Sequence, residues 1–267
     1  MMKLLSKWRA RKPADDEETV YVSERFGVRS LHIGSDTVQS SMRLARPNDL
    51  ELSYTRSMMA FLLFMPPPRK MLQIGLGGGS LAKFVYHRLP QTATTVVEVN
   101  PRVVAVARDY FNLPAEDARF SVMIEDGARY IHRLDVSADV VVVDGYEADS
   151  HVEALASKPF YAACRERLTP GGMLVVNLWG GDKLFQTLLG RIQQCFPGGT
   201  LCLPAERPGN VIVLGFRDAP QPFGWPALVH AALDLQSSYE LEFPKFVTAL
   251  RKMNRHDDDH LYARVEA

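Results

Sequence analysis

Gly75-Leu76-Gly77-Gly78-Gly79-Ser80 packs four glycines into the five positions 75 to 79. Glycine puts no Cβ between the backbone and a bound molecule, so such a loop lets a ligand approach closely. Glu98 follows 23 residues after Gly75, at the end of a β-branched run. A carboxylate there can accept hydrogen bonds from ribose hydroxyls. That spacing fits a nicotinamide dinucleotide site as well as an adenosyl-sulfonium site. Asp126, in Glu125-Asp126-Gly127, can accept from the exocyclic amine of an adenine, which favours the adenosyl-sulfonium reading. It also stands where it could cap a helix starting at Ala128. Asp144 ends the run Val140 to Val143 and is expected at the mouth of a sheet, beside the glycine loop. A carboxylate at that point can order an amine nucleophile and take the proton it must lose before attack. Tyr146 and Glu147 share its loop and are expected to shape the pocket. A dinucleotide oxidoreductase would want glycine at position 80, where serine stands.

The elements between these residues alternate. Strands are expected at Met71 to Ile74, Thr94 to Val99, Phe120 to Ile124, Val140 to Val143 and Met173 to Leu178. Helices are expected at Ser80 to Arg88, Pro101 to Asn112, Phe160 to Leu168 and Asp182 to Phe196. Strands at Thr200 to Leu203 and Val211 to Phe216 close the sheet. Continuous apolar strands alternating with helices imply a mostly parallel sheet covered on both faces, and ligands of such sheets bind beyond the carboxyl ends of the strands. Upstream, residues 19 to 42 read as a small antiparallel β-module, turning at Phe26-Gly27 and Gly34-Ser35-Asp36. A helix from Asp49 to Phe64, capped by Asp49, is expected to end at Pro66-Pro67-Pro68. Downstream of residue 219 only a helix near Phe243 to Met253 is legible. The organisation is thus a tail (1–18), a β-module with its linking helix (19–66) and a Rossmann-like α/β transferase domain (67–267).

Composition narrows the partners. The 267 residues, 46% hydrophobic, can build one sizeable core. Lysine plus arginine and aspartate plus glutamate are equal at 31 each. Neither a nucleic-acid partner nor a polybasic membrane face is expected from such a balance. The longest apolar run, Met58 to Pro66, is too short to span a bilayer. Cys164, Cys195 and Cys202 show no CxxC spacing, so reduced thiols and no metal site are expected. Met1 to Lys12 is basic without an apolar h-region, and Asp15 to Glu18 is acidic. A disordered tail on a soluble cytoplasmic protein is expected.

From about Val20 to Phe216 the chain resembles the spermidine synthase family, the polyamine aminopropyltransferases. Gln39, in Asp36-Thr37-Val38-Gln39-Ser40, is similar to the glutamine of the family's D-G-x-x-Q-x pattern, with one residue less of spacing. Tyr54, in Glu51-Leu52-Ser53-Tyr54, is similar to the tyrosine of its E-F-x-Y pattern. The resemblance implies a cofactor contact for Gln39 and a place at the polyamine pocket for Tyr54. It further implies a ribose acceptor in Glu98, adenine contacts in Asp126 and Gly127, and the catalytic acid in Asp144. Gly75, Gly77 and Gly78 fall in its glycine loop. Decarboxylated S-adenosylmethionine as donor and a small-molecule amine as acceptor follow from the same resemblance. Related enzymes pair the β-module across a two-fold axis, which would make a homodimer.

The sequence departs from the family pattern at three places. Gly78 stands where the family's G-G-G-D-G-G loop has the aspartate that holds the aminopropyl amine. Thr55-Arg56 replaces His-Glu, and Asp144-Gly145-Tyr146-Glu147-Ala148 lacks the proline of the family's D-x-x-D-P run. Methyl transfer from intact S-adenosylmethionine is therefore the alternative, with Arg56 available to its carboxylate if that side chain points inward. A non-catalytic cofactor-binding protein of the same fold is the third reading.

Overall fold

The computed structural model describes residues 19–147, 150–151, 153–206 and 209–263; the expected tail at 1–18 lies outside them. Strands β1 (Val20–Arg25), β2 (Val28–Ile33) and β3 (Val38–Arg43) form the antiparallel module, with the turns where the sequence puts them. The inner end of β3 buries Ser40, Ser41 and Met42 against the rest of the chain.

The segment after β3 differs from expectation. Helix α1 spans only Ser53–Met58 and tightens into a 3-10 turn at Met59–Leu63. Asp49 is not its cap; its carboxylate pairs with Arg46. The Arg56 guanidinium donates to the carbonyls of Leu50 and Glu51, which leaves those residues outside the helix. The following turn is buried throughout and runs into the three prolines.

The main sheet is laid down by β4 (Lys70–Ile74), β5 (Ala93–Glu98), β6 (Phe120–Ile124) and β7 (Ala138–Val143). Helices α2 (Ser80–Arg88), α3 (Pro101–Tyr110) and the short α4 (Gly127–Tyr130) cross between them. Local chemistry starts the latter two: Asn100 accepts from Arg102 N at 2.9 Å ahead of Pro101, and Asp126 accepts from Ala128 N at 2.7 Å. After β7 come the two-residue strands β8 (Tyr146–Glu147) and β9 (Ser150–His151), a short 3-10 turn and α5 (Lys158–Arg167), capped by Ser157. Then follow β10 (Leu168–Trp179), α6 (Phe185–Cys195), β11 (Thr200–Pro204) and β12 (Asn210–Phe216). Helix α6 begins three residues later than expected, because Asp182 forms a turn that accepts from Leu184 N at 2.8 Å.

The seven strands lie in the order β11-β12-β10-β7-β4-β5-β6. β10 through β6 are parallel, and β12 and β11 add an antiparallel edge. The order reverses at β4 and β7: the chain goes from β4 out to β6 on one side and returns to β7 on the other. Loops diverge there, which opens a crevice at the carboxyl ends of these two strands. The sequence did not make α7 (Trp225–Tyr239) legible. It packs with α8 (Phe243–Leu250) on the sheet face that also buries Met58, Met59 and Phe61. The pair β13 (Phe223–Gly224) and β14 (His260–Leu261) brackets this region. No helix among the described residues is long and apolar enough to cross a membrane. The three cysteines are free, and burial pushes the Cys202 thiol up to about 11.

One buried cation joins the module to the sheet. Lys83, on α2, is 1% exposed. Its ammonium donates to the Pro47 carbonyl at 2.8 Å and the Phe111 carbonyl at 2.7 Å, and touches the Met42 sulfur at 3.1 Å. Burial lowers its pKa to about 8. The unfolded chain keeps its lysine proton up to about pH 10.4. Between those values the unfolded state binds the extra proton, so stability rises with pH. In urea unfolding, the wild type is expected to gain about 3 kcal/mol on Lys83→Met between pH 8 and about 10.4. A stability difference that stays constant with pH would contradict this.

Candidate active site

A cavity of about 750 Å³ opens in the crevice. Its walls come from the module, α1, the glycine loop and the ends of β5, β7, β10 and β12. Gly75 makes the tightest of these approaches. Its φ is +92°, and a Cβ there would lie 2.2 Å from the Asp144 carbonyl oxygen. The Asp144 amide in turn donates to the Ile74 carbonyl at 2.9 Å. The loop and the acid are therefore one backbone unit.

Glu98 sits at the end of β5, 9% exposed. One carboxylate oxygen accepts from Leu76 N and the other from Asn100 N, each at 2.9 Å. Burial raises its pKa, and these amides oppose the rise. Glu98 thus ties the glycine loop to β5, and each oxygen keeps lone pairs for a ligand. Asp126 lines the cavity while its Oδ1 caps α4, so capping and facing the cavity coexist. Gly127 has no room for a Cβ, which would fall 2.4 Å from Ile74 Cγ2. Gln39 lines the cavity, and its carbonyl accepts from the Tyr54 hydroxyl at 3.3 Å.

Asp144 is the centre of a polar relay. Asn177 Nδ2 donates to its Oδ1 at 2.9 Å, and Asn210 Nδ2 donates to Asn177 Oδ1 at 2.9 Å. The Tyr54 hydroxyl also lies beside the Asp144 carboxylate, which competes with the Gln39 carbonyl for its one proton. Burial raises the Asp144 pKa, and the Asn177 and Tyr54 bonds hold it down. Burial, then the Asp144 charge, lifts the Tyr54 phenol well above its ordinary value, so it stays a protonated donor. Asn177, Asn210, Gln73, Trp179 and Asp182 all line the cavity, and sequence reading missed them as site residues. Asn177 had a signal: it is polar within the apolar run Leu174 to Leu178.

Two expected residues stand apart. Gly75 and Gly77 line the cavity, whereas Gly78 does not. A Cβ at Gly78 would meet Phe111 and the Ser40 hydroxyl, both at 2.8 Å, so glycine there answers to packing behind the loop. Arg56 does not point inward. It is held by Glu242 at 2.7 Å, and the three backbone and carboxylate bonds it makes use its donors outside the cavity. Tyr146 and Glu147 begin the short pair after Asp144, but the placement of their side chains falls outside the described set.

The lining is electrically one-sided. Glu98, Asp126, Asp144 and Asp182 face the cavity, and no lysine, arginine or histidine is among its described lining residues. No group of three or more histidine, cysteine, aspartate or glutamate side chains among the described residues could hold a metal ion.

The spermine/spermidine synthase domain model matches residues 51–203, more than half of the chain. The chain belongs to the spermine/spermidine synthase family. It is 42% identical over 253 residues to the polyamine aminopropyltransferase of Chromobacterium violaceum, covering 95% of this chain and 97% of that one. Among solved structures, a probable spermidine synthase from Corynebacterium glutamicum shares the fold with a TM-score of 0.68 at 19% identity, over 90% of this chain and 93% of that one. Human methyltransferase-like protein 13, solved in complex with SAH, aligns with a TM-score of 0.64 at 26% identity, over 78% of this chain and 96% of that one.

The tightness at Gly75 gives a direct test. Gly75→Ala must accept a left-handed backbone and displace the Asp144 carbonyl, and is expected to cost about 3 kcal/mol of stability. Gly190→Ala, in the interior of α6 with nothing within 4 Å of the added carbon, is expected to stabilise. Thermal melts check both, and equal midpoints for the two variants would contradict the assignment.

Proposed function

We propose that the chain is a polyamine aminopropyltransferase that moves the aminopropyl group of decarboxylated S-adenosylmethionine to an amine acceptor. The charge of the cavity carries this reading: four carboxylates and, among the described lining residues, no cation. Both substrates of such a reaction are cationic at neutral pH. A carboxylate-lined cleft pairs those charges and raises their local concentration.

Roles follow from position. Gly75 and Gly77 let the donor approach the backbone, Glu98 accepts from its ribose hydroxyls, and Asp126 with Gly127 meets its adenine. Gln39 completes the donor side. Gly78 supports the shape of the loop from behind. Tyr54 and Asp144 face the acceptor. When bound, the donor supplies a methylene carbon activated by the adjacent sulfonium. A C–N bond forms there and the C–S bond breaks, with its electron pair going to sulfur. The chain aligns the amine in line with that carbon and takes its proton.

Asp144 is the proton acceptor. Its raised pKa makes it a stronger base than an ordinary carboxylate. The same shift means that it is protonated, and disabled, at a higher pH than usual. Turnover is therefore expected to fall as pH drops through the raised Asp144 pKa. Asn177→Ala removes a bond that holds this pKa down, so it is expected to move the acid limb of the profile to higher pH. Mass spectrometry of products formed with 1,4-diaminobutane tests the reading. Asp144→Asn is expected to lower kcat by about 10²- to 10⁴-fold while donor binding holds. Undiminished product from that variant would contradict the role of Asp144, and no polyamine from the wild type with any diamine would overturn the reading itself.

Methyl transfer from intact S-adenosylmethionine is the second reading, favoured by the likeness to human methyltransferase-like protein 13. The cavity weighs against it. The carboxylate of the intact donor would face four carboxylates, and Arg56 is committed to Glu242.

A further inference from the structure

Five neutral polar side chains of the lining are buried: Ser40, Thr55, Gln73, Ser80 and Asn177. Four of them are satisfied within the protein. The Ser40 and Ser80 hydroxyls pair at 3.2 Å, Thr55 donates to the Leu52 carbonyl at 2.7 Å, and Asn177 bridges Asp144 and Asn210. Gln73 differs. Its Nε2 donates to the Gly75 carbonyl at 2.7 Å, which fixes the orientation of the amide. Its Oε1 is buried and meets no donor. Thr94 Oγ1 and Arg165 Nε are also unpartnered, but neither residue lines the cavity.

The position makes the orphan atom costly. Gln73 is 2% exposed on the central strand β4, among the buried apolar residues Met71, Leu72 and Ile74. Its paired neighbours are Val142 on β7 and Val96 on β5. An apolar residue would fill that site without leaving a carbonyl oxygen desolvated and unpaired. A fixed acceptor that has no donor, on a residue lining a carboxylate-lined cavity, calls for an N–H donor from a ligand. Its anchor, the Gly75 carbonyl, belongs to the residue that packs on the Asp144 main chain.

We propose that Gln73 Oε1 accepts a hydrogen bond from a primary ammonium group in the cavity and is a binding residue of the transfer site. The proposal rests on the aminopropyltransfer reading, which supplies two such groups: the aminopropyl end of the donor and the terminal amine of the acceptor. Both present the same chemistry, and neither requires a charged partner at this position, since the four carboxylates of the lining supply the counter-charge.

Calorimetry with Gln73→Leu, and with Gln73→Met as a second apolar variant, separates the sources. Three probes are titrated: decarboxylated S-adenosylmethionine, 5′-methylthioadenosine (which lacks the aminopropyl group), and 1,4-diaminobutane into protein saturated with 5′-methylthioadenosine. Loss of a hydrogen bond to a charged group is expected to weaken one ammonium-bearing probe roughly 10-fold or more. Weakening of the decarboxylated donor assigns Gln73 to its aminopropyl end; weakening of the diamine assigns it to the acceptor. Binding of 5′-methylthioadenosine is expected to stay unchanged. Unchanged Kd for both ammonium-bearing probes in the apolar variants would overturn the proposal. So would an equal loss for all three probes. Turnover by the wild type is scored separately, so failure of the aminopropyltransfer reading would show as absent product even where Gln73 governs ammonium binding.

Discussion

The absence of a side chain at Gly75 sets the geometry of the whole site. With φ at +92° and no space before the Asp144 carbonyl, the residue lets two loops meet at the point where the strand order reverses. Backbone hydrogen bonds then lock the junction: Gly75 N to the Val97 carbonyl and Asp144 N to the Ile74 carbonyl, both at 2.9 Å. Glu98 adds the third tie by accepting from Leu76 N and Asn100 N. The glycine loop and Asp144 are thus held in register by main chain, which is stiffer than any pairing of long side chains. Alignment of donor and acceptor in an in-line displacement depends on that stiffness.

On this frame the electrostatics are arranged for cations. The carboxylates are not equivalent. Glu98 accepts one loop amide on each oxygen and keeps lone pairs free, Asp126 is half engaged in capping α4, and Asp144 is held by an amide relay beside the Tyr54 phenol. Burial raises both Glu98 and Asp144, while backbone amides counter the rise at one and side chains counter it at the other. The difference suits the roles proposed for them. An acid tied to the backbone makes a good fixed acceptor for hydroxyls, and an acid held by movable side chains can exchange a proton. The positive charge nearest in sequence to the acceptor side, Arg56, is drawn off to Glu242 on the segment leading into α8. The C-terminal helices thereby keep the cavity free of a cation from α1.

Much of this was legible from residues alone, for local reasons. The valine run of β7, the glycine cluster and the carboxylates at strand ends carry their signals within a few positions. Asp126 announces a helix start through its own side chain. What could not be read depends on distant neighbours. Asn177 matters because Asn210 and Asp144 meet it from other strands. Gln73 matters because a buried oxygen finds no donor. Gly78 looked like a ligand contact, yet Phe111 and Ser40 decide its identity from behind the loop. Asp49 had the chemistry of a cap, but Arg56 claimed the preceding carbonyls and moved the helix start to Ser53. Helix α7 went unread because its wide apolar face packs on α8 and on the turn at Met59–Leu63, a surface created only by folding.

The central claim is that the cavity selects a donor without a carboxylate. Titration calorimetry of the wild-type protein with decarboxylated and with intact S-adenosylmethionine, under identical salt and pH, tests it most directly. The account predicts that the decarboxylated compound binds at least about 10-fold tighter, because the extra carboxylate of the intact compound meets only like charge in the cleft. Equal affinity, or tighter binding of the intact compound, would contradict it.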